Sequence, residues 1–176
     1  RRTMHKVSMF DMSVASPTRR YYTNGVLSHN TVTAAVFMLW YLLFHKEKNV
    51  LVVADIGETT KEIVDKIKNI MNNLPFFMKP GIVINNVMSM KFDNDCRLIG
   101  RNTTRKTGIG LSINLLYMDE FAHIDESYLK FFYSNIYPTI ESMPNSKIII
   151  TSTPNGLNTF HDLWIDALDK KNSYYP

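Results

Sequence analysis

The chain has 176 residues, of which 45% are hydrophobic and 20% are charged, and its formal net charge is +4. This composition excludes disordered and fibrous proteins and predicts one globular domain, while the weak positive charge fits a polyanionic partner and ordinary solubility equally well. The single cysteine, Cys96, excludes an intrachain disulfide and a multi-cysteine zinc site, and it fits a reducing compartment.

No segment of the sequence is expected to cross a membrane. The longest uninterrupted apolar run, Ala34 to Phe44, is well short of the roughly 20 residues that a membrane-spanning helix needs. The chain begins at Arg1 without a methionine or a signal-peptide pattern, and it stops at Pro176 without a closing element. We therefore expect a fragment of a longer protein.

The first 30 residues differ in character from the rest. Apolar residues alternate loosely from Val7 to Val14, as they do in short strands. The segment from Tyr21 to Leu27 predicts a β-hairpin, because its Asn24-Gly25 pair supplies the positive φ angles of a tight turn. A small all-β segment is therefore predicted to end near Asn30.

From Thr31 onward the pattern predicts alternating helices and strands. The segment Thr31 to Phe44 predicts a largely buried helix, with Trp40 in the core, and Trp164 is also assigned to the core. The other predicted elements are a strand over 49–55, a helix over 59–74 stopped by Pro75, a small antiparallel excursion over 82–99, a strand at 115–118, a helix over 126–137 closed by Pro138, a strand over 147–151 and a helix over 160–168. This alternation predicts an α/β fold with a doubly wound, mainly parallel sheet.

Two carboxylates follow the strand Leu115 to Met118. An apolar run of this kind is typical of a strand buried on both faces, and ligands bind off the carboxyl ends of such strands. In a P-loop NTPase, the first acid holds Mg²⁺ and the second orients or deprotonates the attacking water, which are the roles predicted for Asp119 and Glu120. The alternative is a strand that ends in an ordinary turn with two solvated acids.

A hydroxyl-rich segment, Thr151-Ser152-Thr153, ends the next predicted parallel strand. Its hydroxyls are predicted to lie next to the metal and the attacking water, where they respond to the γ-phosphate. The alternative is a turn in which the hydroxyls merely close the strand.

The expected phosphate loop is incomplete. Its pattern G-x-x-x-x-G-K-[ST] should precede the first helix, but the chain has no Gly-Lys pair, and Ser28-His29-Asn30 stands directly before Thr31. An asparagine side chain such as that of Asn30 can attack its own carbonyl carbon and cleave the chain. His29 can assist as an acid, and the Thr31 hydroxyl can accept an acyl group.

Residues 1–30 resemble the C-terminal end of an intein, with Thr31 as the first residue of the following extein, the segment that splicing retains. The resemblance rests on Phe10-Asp11-Met12-Ser13-Val14 and on Tyr21 to Asn30. It implies a Hint-type all-β remnant in which Asn30, His29 and Thr31 carry out splicing, with Asp11 assisting the cyclisation. Arg19 stands where inteins often carry a histidine. The implied partner is an N-terminal intein fragment that carries the upstream extein.

Residues 31–176 resemble the ATPase domain of the large terminase subunit, the DNA-packaging motor of T4-like tailed phages. Leu115 to Ile124 matches the Walker B segment of that family, and Lys147 to Asn158 matches its coupling motif. The resemblance implies a P-loop NTPase fold with ATP and Mg²⁺ as cofactors. The implied site residues are Asp119 and Thr31 for Mg²⁺, Glu120 as the ATPase base, and Thr151, Ser152 and Thr153 for coupling and nucleotide binding.

The same resemblance implies a place of action and a set of partners. These are double-stranded viral DNA, the portal and the small terminase subunit, in the cytoplasm of the host cell and at the procapsid during packaging. Relatives often show Arg-Gly where this chain has Ile109-Gly110, so Arg101, Arg105 or Lys106 would have to supply the charge-stabilising cation. The alternative for this basic loop is a solvated or DNA-facing surface.

Two further functions are considered beside the motor ATPase, and the first of them would be an earlier state of the same gene product more than a rival. In one, the chain is a trans-splicing fragment, and residues 31–176 are inactive cargo until ligation. In the other, it is a nucleotide-binding α/β module with no motor role, which the Thr-Ser-Thr-Pro-Asn-Gly segment disfavours. His123, just beyond the acids, is interpreted as a residue at the start of a helix in preference to a metal ligand.

Overall fold

The computed structural model describes residues 21–23, 26–28, 30–104, 107 and 110–175. The strands are β1 Tyr21–Thr23, β2 Val26–Ser28, β3 Asn49–Ala54, β4 Ile82–Asn86, β5 Ser89–Phe92, β6 Arg97–Asn102, β7 Leu115–Asp119 and β8 Lys147–Ile150. The α-helices are α1 Asn30–Phe44, α2 Gly57–Asn72, α3 Glu126–Phe131, α4 Tyr137–Glu141 and α5 Thr159–Leu168. Short 3₁₀ turns lie at Phe76–Met78 and Phe121–His123.

A six-stranded sheet organises the chain, in the order β4-β5-β6-β3-β7-β8. The four strands from β6 to β8 are parallel neighbours, and β4 and β5 add an antiparallel edge. The predicted mixed α/β fold with a mainly parallel sheet is confirmed. The excursion predicted over 82–99 was wrong in one respect, because β6 pairs in parallel with β3 and so belongs to the centre of the sheet.

Helices cover both faces of this sheet. Val50 and Val52 of β3 pack in the same hydrophobic cluster as α1 and α2, and the alternate residues Leu51 and Val53 pack with α3 and α4. Since both faces are covered, β3 and β7 need apolar side chains at every position, which is why their sequences do not alternate.

One face of α1 departs from the sequence-based prediction. Ala35, Met38 and Leu42 are buried against the sheet, but Val32, Val36, Trp40 and Phe44 are 38%, 49%, 46% and 61% exposed. These four residues recur every fourth position and therefore form one stripe along the helix. The predictions of a largely buried helix and of a core Trp40 were wrong, because α1 packs through one face only. Trp164 is half-buried.

Proline does not end the helix that follows the site. The chain passes from α3 through a π-helical turn at Phe132–Ile136 into α4, and Pro138 lies in the first turn of α4. A proline is tolerated there, and the π turn shifts the hydrogen-bond pattern just before it. The prediction that Pro138 closes the helix was therefore wrong.

The N-terminal segment contains the predicted strand pair. The strands β1 and β2 are antiparallel neighbours, with Tyr22 opposite Leu27. The strand predicted over 7–14 lies outside the described residues. In the described part of the chain, no helix is long and apolar enough to span a membrane.

Candidate functional site

The site lies at the carboxyl ends of β7 and β8. The parallel register of Met118 with Ile150 brings Asp119, the last residue of β7, beside Thr151. Asp119 is buried, with 6% of its surface exposed, although it is a carboxylate. A buried carboxylate needs hydrogen-bond donors around it, because the loss of hydration is otherwise costly.

Hydroxyl and amide groups of neighbouring residues donate hydrogen bonds to the Asp119 carboxylate. Its Oδ1 atom accepts hydrogen bonds from the Thr151 hydroxyl at 2.7 Å and from the Glu120 amide at 3.1 Å. Its Oδ2 atom accepts one from the Thr31 hydroxyl at 3.3 Å. The structure thus brings Thr31, in the first turn of α1, to an acid 88 positions later in the chain.

The oxygen atoms of Asp119 and Thr31 fit a hard divalent cation. Mg²⁺ prefers oxygen ligands and is usually held by one or two carboxylates together with water and substrate phosphates. Asp119 and Thr31 offer one carboxylate and one hydroxyl. Among the described residues, no group of three or more His, Cys, Asp or Glu side chains converges to bind a metal without such outside ligands.

Tyr117 supports the Asp119 side of the site from within the core. Its hydroxyl lies 2.8 Å from the Thr151 Oγ1 atom. Because Thr151 donates its proton to Asp119, its oxygen accepts from Tyr117, which makes a chain of donors from Tyr117 through Thr151 to Asp119. Burial, and then the charge of Asp119, raises the pKa of Tyr117 well above its usual range. Tyr117 therefore stays a donor.

Tyr117→Phe is expected to weaken the dependence of stability on alkaline pH. Because the folded-state pKa is raised, the folded chain keeps a proton that the unfolded chain loses near pH ~10, so stability present below that pH is lost as the pH rises. As the pH rises, the free energy of unfolding should fall less steeply in the variant than in the parent chain. The two slopes should differ by up to about 1.4 kcal/mol per pH unit. Urea unfolding between about pH 9 and about pH 11 measures this slope.

The comparison isolates Tyr117 because the other buried phenols stay the same in both chains. Burial also raises the pKa of Tyr128 and of Tyr133, each to about 12, and these two add the same slope to the variant. Equal slopes in the two chains would contradict the assignment.

Glu120 has a left-handed backbone, with φ 51° and ψ 41°. For a residue with a side chain this conformation costs roughly 1–2 kcal/mol. It ends β7 abruptly and turns the side chain towards the segment after β8, where Glu120 Oε2 accepts from the Thr153 amide at 3.2 Å and from the Thr153 hydroxyl at 2.9 Å. The side chain remains 37% exposed, so solvent reaches its carboxylate.

The hydroxyl of Ser152 is used differently from those of its neighbours. It accepts from the Ala122 amide at 2.9 Å and lies 2.9 Å from the Thr153 carbonyl, to which it donates. The structure therefore brings Thr151 and Thr153 to the two carboxylates but places the Ser152 hydroxyl on backbone groups of the turn.

Two asparagines fix the loop after β8. The amides of Asn155 and Asn158 both donate to the Ala122 carbonyl, at 3.1 and 2.9 Å. Asn158 also caps α5 by accepting from the amides of Phe160 and His161. This structural role was missed, although asparagine before an apolar helix is a recognisable capping signal.

Most of the other predicted site residues lie outside the part of the chain that the structure describes, or are described only in part. His29, Arg105 and Lys106 lie outside the described residues, and Asn30 is described only as the backbone start of α1. Arg101 is exposed near the end of β6, opposite Val53 of β3, which puts it two strands from β7. Neighbouring strands lie about 4.8 Å apart, so Arg101 is roughly 10 Å from β7 along the sheet.

Comparison with known families identifies the chain. The profile of the family "Terminase large subunit, T4likevirus-type, N-terminal" matches residues 30–175. The chain belongs to this family. Membership agrees with the resemblance seen at the Walker B and coupling segments, and the match begins one residue before Thr31.

Solved terminase structures share the fold of this terminase chain. The large terminase of bacteriophage HK97 superposes with a TM-score of 0.67 at 18% identity, over 81% of this chain and 31% of that one. The ATPase domain of the Thermus phage P74-26 large terminase gives a TM-score of 0.61 at 17% identity, over 77% and 59%. A large terminase from a thermophilic bacteriophage, solved in complex with ADP, gives 0.57 at 14% identity, over 79% and 34%. The chain thus spans less than two thirds of each of these relatives.

Proposed function

We propose that residues 31–176 form part of a terminase motor domain. This domain hydrolyses ATP with the help of Mg²⁺ and uses the hydrolysis to drive the translocation of viral DNA. The single observation that carries the proposal is the convergence of Thr31 and Thr151 on the buried Asp119. It joins the predicted last residue of a phosphate loop, the predicted metal acid and the coupling segment in one site. The ADP complex of a solved relative supports the choice of nucleotide.

Each residue of the site has a role in this mechanism. Asp119 and Thr31 would hold Mg²⁺, which when bound neutralises developing charge on the phosphate oxygens. Glu120 orients the attacking water and takes its proton, for which its carboxylate is both accessible to solvent and fixed by Thr153. Thr151 keeps Asp119 oriented. Because Thr151 and Thr153 follow the same strand, movement of β8 acts on both acids.

The described surface supports the view that a further segment completes the domain. Within the described residues β8 pairs only with β7, and Ile148, Ile149 and Ile150 are only half-buried. α1 contacts β3 and β7 and so lies on the β8 side of β3, where a crossover helix is expected to lie if the preceding strand belongs beyond β8. The exposed stripe of α1 adds apolar surface that no other described residue covers.

ATP turnover tests this function. We expect no Mg²⁺-dependent turnover from the chain alone, because the chain has no Gly-Lys pair to complete a phosphate loop. We expect turnover once an upstream segment ending in Gly-Lys is ligated to Thr31. Phosphate release, measured before and after ligation, distinguishes the two states. Turnover by the chain alone would contradict the incomplete loop, and an inactive ligated product would contradict the ATPase.

The partners and the place of action are part of the same proposal. By family membership we propose that the completed protein acts on double-stranded viral DNA with the portal and the small terminase subunit. The site of action is then the host-cell cytoplasm, at the procapsid. In this proposal Arg101, Arg105 or Lys106 supplies the charge-stabilising cation, and of these Arg101 is exposed near the carboxyl end of β6.

We propose protein splicing as a second function, carried by residues 1–30 together with Thr31. Two observations favour it. The family match begins at residue 30, and the segment directly before it contains the predicted β1–β2 pair. In this proposal Asn30 cyclises and cleaves the chain, His29 assists as an acid, and Thr31 receives the upstream segment. The metal-binding hydroxyl of the motor would then serve first as the acceptor in ligation.

A mixing experiment tests splicing. The chain is incubated with a matching N-terminal intein fragment that carries the upstream extein. A ligated product that contains the upstream extein joined to residues 31–176 supports the proposal. Failure with every matching intein half would leave residues 31–176 as a terminase fragment without this activity.

A further inference from the structure

His123 ends the 3₁₀ turn that follows Glu120 and faces the same hydroxyl as Glu120 does. Its amide donates to the Glu120 carbonyl at 2.9 Å, which closes the turn. Its Nε2 atom lies 3.1 Å from Thr153 Oγ1 and 3.7 Å from Glu120 Oε2. The sequence-based interpretation as a residue at the start of a helix missed these contacts with Thr153 and Glu120.

The protons in this cluster can be assigned from the chemistry of its atoms. A carboxylate only accepts, so the Thr153 hydroxyl donates its single proton to Glu120 Oε2 at 2.9 Å. The Thr153 oxygen must then accept from His123 at 3.1 Å. An imidazole nitrogen donates only when it carries a proton, so Nε2 of His123 is the protonated nitrogen.

Asp119 and Glu120 are therefore held by the same arrangement of hydrogen bonds, in which one side chain donates to a threonine hydroxyl that donates to the carboxylate. Tyr117 donates to Thr151, which donates to Asp119, and His123 donates to Thr153, which donates to Glu120. In each case a donor next to the β7 end fixes the direction of a hydroxyl that follows β8. Tyr117 and Asp119 are buried and Thr151 is half-buried, whereas the side chains of His123 and Glu120 are 40% and 37% exposed.

Partial exposure makes the His123 contact important for the position of Glu120. A half-exposed carboxylate has few packing neighbours, so hydrogen bonds must select its rotamer. Misplacement of a catalytic group by as little as 1 Å can cost about 10²-fold in rate. A hydroxyl whose direction is fixed holds the carboxylate better than one that rotates freely.

We propose that His123, with its proton on Nε2, is a positioning residue that orients Glu120 through Thr153. The role in turnover rests on the proposed function of Glu120 as the ATPase base. The hydrogen-bond chain itself does not, since it is a property of the folded site.

The first test uses the chain itself and needs no activity. The ¹⁵N chemical shifts of the His123 ring at about pH 8, where an unperturbed histidine is neutral, report which nitrogen carries the proton. We expect the Nε2–H form in the chain and in Thr153→Ser, which keeps the hydroxyl, and a shift towards a mixture of tautomers in Thr153→Val. Identical spectra in all three, or an Nδ1–H form, would overturn the proposal.

His45 supplies an internal reference for this measurement. Its Nδ1 atom lies 3.0 Å from the Tyr41 carbonyl oxygen, which only accepts, so Nδ1 must carry the proton there. The two histidines should therefore show opposite tautomers in one spectrum, and the substitutions at Thr153 should leave His45 unchanged.

The second test uses the ligated protein. We expect His123→Ala to lower kcat about tenfold with KM unchanged. The substitution removes the hydrogen bond to the Thr153 hydroxyl, which in turn holds the Glu120 carboxylate. His123→Gln, whose amide reaches the same position as Nε2, should recover most of the loss. His161→Ala is the matched control, since His161 contacts only its helix neighbour Asp162 among the ion pairs described.

The outcomes separate this inference from the proposed function. An unchanged kcat in His123→Ala, or a loss that His123→Gln does not relieve, would overturn the positioning role. If Glu120→Gln itself retained full turnover, the ATPase assignment of Glu120 would fall, while the tautomer result would still decide whether the hydrogen-bond chain exists.

Discussion

Glu120→Gln lowers kcat for ATP by about 10²- to 10⁴-fold in the ligated protein and leaves the affinity for the nucleotide nearly unchanged. This range is the usual contribution of a positioned general base. A glutamine amide keeps the size of the side chain and can still accept from the Thr153 amide and hydroxyl. It cannot take a proton from water, so the chemistry is lost without loss of the fold.

Single-turnover phosphate release and equilibrium binding of a fluorescent ATP analogue measure the two quantities separately. Glu141→Gln is the matched control, because Glu141 is exposed at the end of α4, which leads to the amino end of β8, away from the site. We expect the control to keep full turnover. A Glu120→Gln protein that hydrolyses ATP within a few-fold of the parent would show that another group activates the water.

Asn30→Ala abolishes formation of the ligated product when the chain is mixed with a matching N-terminal intein fragment. Alanine has no side-chain amide to attack the backbone carbonyl carbon. Residue 30 therefore cannot cyclise to a succinimide, and the bond to Thr31 is not cleaved. The expected species is a branched or unreacted chain that still contains residues 1–30. Denaturing gels and intact-mass spectrometry distinguish it from the ligated product by mass.

Asn135→Ala is the control for this substitution. Asn135 is exposed, and its amide donates to the Phe131 carbonyl within its own helix, so its loss should leave the yield of product unchanged. A ligated product from Asn30→Ala would refute asparagine cyclisation at this position. Equal loss in both variants would point to a folding defect and would also count against the chemical role of Asn30.

The parts of the fold that sequence predicted well are those in which burial dictates residue type. The run Leu115–Met118 lies between two covered faces, so it could be identified as a parallel core strand, and its carboxyl end then located Asp119 and Glu120. Thr151 and Thr153 followed from the same rule, because neighbouring parallel strands end at one edge of a sheet.

The wrong or missed predictions concern features of the fold that a local sequence pattern does not specify. The apolar residues of α1 looked fully buried, yet Val36 and Trp40 face solvent because no described element covers them. Pro138 looked like a helix stop, but a π turn accommodates it. The role of His123 depends on a contact with a residue 30 positions away, which no spacing rule could reveal.

The position of Thr151 and Thr153 on one short stretch of chain has a mechanical consequence. Thr151 and Thr153 directly follow β8 and donate to different carboxylates, so a single displacement of β8 loosens or tightens both hydroxyl contacts together. The Thr31 contact belongs to α1 and does not move with them. An external load applied through β8 would therefore loosen the contacts of Asp119 and Glu120 together, whereas one applied through α1 would loosen only the contact of Asp119 with Thr31.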